Sequence, residues 1–336
     1  DANALTPDDP DLLPGHTDVD APDGPDNEIN TGYLWDSALR AGLTVRNYGF
    51  MLDTTRYQLL QSDPNAIPLI AMPALTTPPT VVAYAANVAL APYTDQYFRG
   101  FDNNFPDYYR FKEWEREFDT KYAAPDGEEL PSLSLVRFMH DHTGNFGTAL
   151  FGVNTPETMQ ADNDYAVGLL VEKIANSRYK DDTLIFVIED DAQDGGDHVD
   201  SHRTIAFVAG APVKQGALVS TEYNTVDFLR TIEEVLGLPP MNLNDALARP
   251  MADVFNPEPA AWSFTATPSP YLYGTDLAAQ LPPKPEGLIV PQPTHDAQYW
   301  AEASAGMDFT VEDNFDFATY NRILWRGLMG ESPYPD

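Results

Sequence analysis

Cysteine is absent from this chain, which removes disulfides, thiolate zinc sites and cysteine nucleophiles together. Basic residues are scarce: 19 lysines and arginines face 52 aspartates and glutamates, a formal net charge of -33. A surface of that sign repels nucleic acid and anionic membranes, so neither is expected as a partner. No apolar run reaches the ~18 residues a membrane helix needs; the most apolar stretch, Ala66 to Pro92, is broken repeatedly by prolines. Standard catalytic signatures are missing as well. There is no G-x-S-x-G elbow, Walker loop, G-x-G-x-x-G or H-E-x-x-H, so serine hydrolase, P-loop, nucleotide dehydrogenase and zincin readings lose their usual support. The chain opens on Asp-Ala-Asn without a basic, apolar signal region, so the expectation is that any export signal has already been removed or was never there. Lack of cysteine together with high acidity fits a secreted, periplasmic or cell-surface protein.

What is present is enough to fold. Hydrophobic residues make up 43% of 336, sufficient for a core. Residues 1–31 form an acidic arm rich in Pro and Gly. Its Asp18, Asp20 and Asp23-Gly24 approach an EF-hand calcium loop, but the spacing is off by one and Pro22 interrupts it. From Gly32 a helix with Tyr33, Leu34, Ala38 and Leu39 at helical spacing ends at Gly42, and Leu43 to Phe50 reads as a strand. Residues 52–130 read as an aromatic-rich insertion with a helix from Phe111 to Tyr122. The regular part, within a core spanning 32–255, follows. It comprises a strand at Leu133 to Met139, a helix at Asp162 to Ser177, strands at Thr183 to Ile188 and Ile205 to Val208, and an amphipathic helix at Thr221 to Leu238. Residues 256–336 are expected to be a Pro-rich wrap and two closing helices, Asp296 to Ala305 and Phe315 to Leu328. Strands alternating with helices predict an α/β, three-layer sandwich with a largely parallel central sheet.

Two loops concentrate the chemistry. The strand from Thr183 runs into Glu189-Asp190-Asp191, then through Asp197-His198-Val199-Asp200-Ser201-His202-Arg203. The strand from Leu133 opens into His140-Asp141-His142-Thr143-Gly144. In α/β folds, ligands bind at the carboxyl ends of strands. Carboxylate oxygens suit hard divalent cations, and imidazole adds affinity for transition metals. Four of the six histidines fall in these two clusters, while His16 and His295 stand alone. An acidic protein that handles an anionic substrate also needs a local reversal of field, which a bound cation supplies.

The run Glu189 to Arg203 is similar to the signature of the phosphoesterase family that holds bacterial phospholipases C and acid phosphatases, within the alkaline phosphatase superfamily. His140-Asp-His-Thr-Gly144 resembles a second motif of that family. Gly32-Tyr-Leu-Trp-Asp36 through Val45-Arg-Asn-Tyr-Gly49 resembles a third, and the likeness extends from about residue 5 to the end. It implies metal-dependent hydrolysis of a phosphate ester with one or two divalent ions (Ca, Mg, Mn, Fe or Zn). It implies metal ligands at Asp190, Asp191, His202 and Asp141, proton transfer by His142 or His198, and substrate contacts from His140, Asp197 and Arg203. The family's Glu-Asn metal pair and its Ser or Thr nucleophile have no counterpart here. By the resemblance, the chain is the carboxy-terminal part of the fold and needs a companion chain or an amino-terminal segment of the same precursor. The competing expectation is a non-catalytic acidic, cation-binding or structural surface protein with the same fold. A carboxylate-pair glycosidase is the weaker third, since adjacent Asp190 and Asp191 do not face each other across a cleft.

Overall fold

A computed structural model describes residues 33–69, 80–189, 204–241, 243–310 and 315–334. The acidic arm at 1–31 and the run from Asp190 to Arg203 lie outside the described residues.

The first unit is helix α1 (Leu34–Arg40) leading into strand β1 (Val45–Tyr48). Gly42, at φ +77°, makes the left-handed turn between them. A short helix α2 (Thr55–Gln58) follows, then the long helix α3 (Asp107–Glu117), which runs on into a wide turn at Phe118–Tyr122. Strand β2 (Leu133–Val136) pairs with β1 in parallel, Val45 opposite Leu133 and Tyr48 opposite Val136.

Helix α4 (Pro156–Ala175) begins six residues before the start that periodicity suggests. Thr155 caps it by accepting from the Thr158 N–H, and Pro156 occupies the first turn, where a missing N–H costs nothing. Strands β3 (Ile185–Ile188) and β4 (Ala206–Ala209) pair antiparallel. Helix α5 (Thr225–Leu236) starts later than expected because Thr221 and Tyr223 are held by the Asp253 carboxylate at 2.6 and 2.5 Å, leaving Asn224 as the cap. Gly237, at φ +68°, ends it. Helices α6 (Leu243–Leu247), α7 (Ala297–Ala303) and α8 (Phe317–Met329) complete the order.

The expected three-layer sandwich around a largely parallel sheet is not what the chain forms. Among the described residues there are two separate two-stranded sheets, one parallel and one antiparallel. The apolar run Thr183–Ile188 and its neighbour Ile205–Val208 are strands, but an apolar run carries no information about direction. β4 is also solvated at its start, with Ile205 just before it at 62% and Phe207 at 61% exposure, unlike a doubly covered strand of a parallel sheet.

The largest core cluster is helical and aromatic. Phe105, Tyr108 and Tyr165 from α3 and α4 and their flanks join Leu272, Leu277, Trp300 and Tyr320 from the Pro-rich tail. That tail is therefore core material, with Trp300 fully buried. Gly327 on α8 permits this: a Cβ there would stand 2.2 Å from the Trp300 ring. A second cluster packs Tyr48, Phe98, Trp114 and Phe118 against Ile174, with Val136 and Ile185 at its edge.

Candidate metal centre

β2 ends at Val136, and four residues later His140 is fully buried. It meets two carboxylates that are equally buried, Asp107 at the first residue of α3 and Asp162 inside α4. Asp162 accepts the backbone N–H groups of Asp107 at 2.5 Å and Tyr108 at 3.1 Å. It thus satisfies the orphan donors at the start of α3, where the helix dipole favours an anion. Asp107 turns back to the loop after β2. It accepts from the N–H of Met139 at 2.9 Å and of His140 at 2.8 Å, from Asn163 Nδ2 at 3.0 Å and from Arg110 at 2.9 Å.

The imidazole bridges the two halves. His140 Nδ1 lies 2.7 Å from Asp162 Oδ2, and Nε2 lies 3.2 Å from the Asn103 carbonyl oxygen. A carbonyl only accepts, so Nε2 carries a hydrogen. Burial alone would lower the His140 pKa, but the hydrogen bond and charge of Asp162, with help from Asp107, raise it. Asp162 is also raised, by burial first, with His140 opposing. Both directions mean that the pair holds on to a proton. With His140 and Arg110 positive and Asp107 and Asp162 negative, the buried quartet is neutral.

Ligand atoms of Asp107, His140 and Asp162 lie within 4.8 Å of one another, so this buried Asp-His-Asp group could hold a metal ion. The donor types suit a divalent cation. Binding would require His140 to give up its Nδ1 proton and the two carboxylates to release N–H donors they now accept.

Asp141 and His142 follow at the half-buried lip of this junction. The Asp141 carbonyl accepts from Gln160 Nε2 at 2.8 Å, and the His142 ring stands edge-on to Phe101, 5.4 Å between centroids. Thr143 Oγ1 is tied to the Tyr320 hydroxyl at 2.7 Å. Of the residues given metal, proton-transfer or substrate roles from the sequence, the described structure therefore contains His140, Asp141 and His142. Asp190, Asp191, Asp197, His198, His202 and Arg203 lie outside the described residues. Reading the sequence missed Asp107 and Asp162, which lie on helices among other acids and outside the two histidine-bearing loops. One signal was available: Pro106-Asp107 looks like a helix start, and an acid there is a capping candidate. Comparison with family models, with curated proteins and with solved structures finds no match to this chain.

Proposed function

We propose that this chain supplies the metal- and phosphate-binding side of a phosphoesterase centre. The observation that carries the reading is the acid- and histidine-rich run from Glu189 to Arg203, whose two flanks are pinned together. The Glu189 N–H donates to the Ile205 carbonyl at 3.3 Å, and its carboxylate accepts the Thr204 hydroxyl at 3.0 Å. The run thus departs from the carboxyl end of β3 and returns to β4 at one point. Asp190, Asp191, His202 and Asp141 would hold the cation, and Asp197 and Arg203 would contact the ester. A divalent ion bound there would neutralise charge on the phosphoryl oxygens and lower the pKa of an attacking oxygen. His142 or His198 would donate the proton to the leaving group. His140, fully buried with both ring nitrogens engaged, serves that chemistry best by fixing the turn that carries Asp141 and His142.

Calorimetric titration with Mn2+ and with Ca2+, alongside release of phosphate from an aryl phosphate ester with and without EDTA, tests the reading. Saturable metal binding that disappears in Asp190→Ala/Asp191→Ala supports it, as does activity that EDTA abolishes. Unchanged metal affinity in that double variant would sink it. One observation favours the non-catalytic alternative: the buried Asp107-His140-Asp162 group is already closed by protein donors, as a structural junction would be. That alternative predicts weak, non-saturating cation binding that ignores Asp190 and Asp191.

A further inference from the structure

Two pairs of carboxyl groups lie outside everything assigned above, one in each half of the molecule. Asp95 is 1% exposed and follows Thr94, which meets β1 in a single parallel bridge at Asn47. Its backbone N–H donates to the Asn47 carbonyl at 2.8 Å, and its Oδ1 accepts from the Tyr97 N–H at 2.8 Å. Its other oxygen, Oδ2, has no hydrogen-bond donor. The Arg46 guanidinium stands off at 3.8 Å, because it forks onto Glu117 at 2.7 and 3.0 Å. What faces Asp95 instead is the carboxyl of Glu113 on α3, within hydrogen-bond reach. Glu113 in turn is gripped by the Arg116 guanidinium at 2.9 and 3.0 Å. The second pair repeats the arrangement. Glu233 on α5 is fully buried, with Oε2 accepting from Arg230 at 3.1 Å and Oε1 without a donor. It meets the fully buried carboxyl of Asp245 on α6. Asp245 itself accepts from the Met241 and Ala246 N–H groups at 2.7 and 2.9 Å.

Two carboxyl oxygens in hydrogen-bond contact repel unless one carries a proton. In each pair one member has both oxygens engaged by donors, Glu113 by Arg116 and Asp245 by backbone N–H groups, whereas Asp95 and Glu233 each keep one oxygen without a donor, and that oxygen takes the proton. We propose that Asp95–Glu113 and Glu233–Asp245 are proton-bridged clasps, the first fastening the β1 loop to α3 and the second fastening α5 to α6, so that the fold tightens in acid and loosens in alkali. The second clasp bears on the hairpin, since Phe228 of α5 packs with Phe186 of β3 and Val208 of β4. The inference does not rest on the phosphoesterase reading.

The sign follows from linkage. Burial and the neighbouring carboxylates raise Asp95 to about 8, and burial with Asp245 raises Glu233 to about 7. Unfolded carboxyls release their protons near pH ~4. The stability each clasp contributes is therefore full below about pH 4, drains away as pH rises, and is gone above those folded values.

Thermal unfolding of the whole chain, followed by circular dichroism at about 0.5 M NaCl to screen surface repulsion, reads this directly. The wild-type midpoint should fall between about pH 5 and pH 8 and then level off. In the double variant Asp95→Asn/Glu233→Gln, an amide N–H replaces each bridging proton. Its midpoint should stay nearly flat over that range and exceed the wild type at about pH 9. Parallel slopes in the two proteins would overturn the proposal. Should the variant fail to fold, infrared difference spectra of the native wild type decide instead. A protonated-carboxyl C=O band present at about pH 6 and lost by about pH 9 supports the clasps, and its absence at about pH 6 overturns them.

Discussion

Around His140 the buried charges are matched by opposite charges, whereas the β3–β4 hairpin leaves large apolar side chains in solvent. Asp107 is held by Arg110, Asp162 by His140, and the remaining lone pairs accept backbone N–H groups. On the hairpin, Phe186 and Val208 are packed under α5, and Ile185 and Ala209 against α4 and Trp262, but Ile205 and Phe207 stay exposed. The first region ties together three segments distant in sequence and has no slack. The second is held under α5 and, at its far end, against α4, but the start of β4 stays open to solvent. A closed polar network makes for rigidity, and a half-covered hairpin has few contacts to lose.

That contrast can be broken most severely at Asp162. Replacing it by alanine leaves the His140 charge and the first N–H groups of α3 buried without partners. The expected loss is about 3–5 kcal/mol in urea unfolding at neutral pH. A loss below about 1 kcal/mol would mean that water or another group satisfies the junction. Next in size is the support of the hairpin. Asn224 caps α5 by accepting from the Asp227 N–H at 3.0 Å, so Asn224→Ala should cost about 1 kcal/mol by the same assay. Amide hydrogen exchange should speed up first in β3 and β4, leaving α3 and α4 protected. Equal acceleration in both regions would erase the distinction. The smallest effect belongs to the exposed face: Phe207→Ser should change stability by no more than about 0.5 kcal/mol. A larger loss would show that this face is covered in solution, and size-exclusion chromatography would then reveal the covering copy.

Legibility from sequence differed sharply between these features. The strand runs at Thr183–Ile188 and Ile205–Val208 were visible because β-branched and aromatic residues cluster there. Their antiparallel pairing was not, because direction depends on what the connecting residues do. The end of α5 was legible in Gly237, but its start was obscured by Thr221 and Tyr223, which continue a helical pattern while Asp253 holds them out of the helix. At the candidate site, His140 drew attention as one of a pair of histidines. Its actual role as a buried bridge depends on Asp107 and Asp162, 33 and 22 residues away. Pro106-Asp107 marks a helix start, but no local pattern says which buried group an acid there will meet. The clasp at Asp95 was hidden for the same reason, being one acid among 52 acidic residues.

By itself, the sequence determined the signs and the local shapes. An acidic chain without cysteine relies on non-covalent packing, Pro156 and Asn224 start helices, and Gly42 and Gly237 make left-handed turns because those residues have the fitting backbone and capping chemistry. Only the tertiary structure decided which acids would be buried, and against what. Burial changes a carboxyl group from an ordinary solvated charge into one that must find an arginine, an imidazolium, a row of N–H groups or a shared proton. Asp107, Asp162, Asp95 and Glu233 acquired those different partners from the way α3, α4, α5 and α6 pack, which spacing along the chain does not encode.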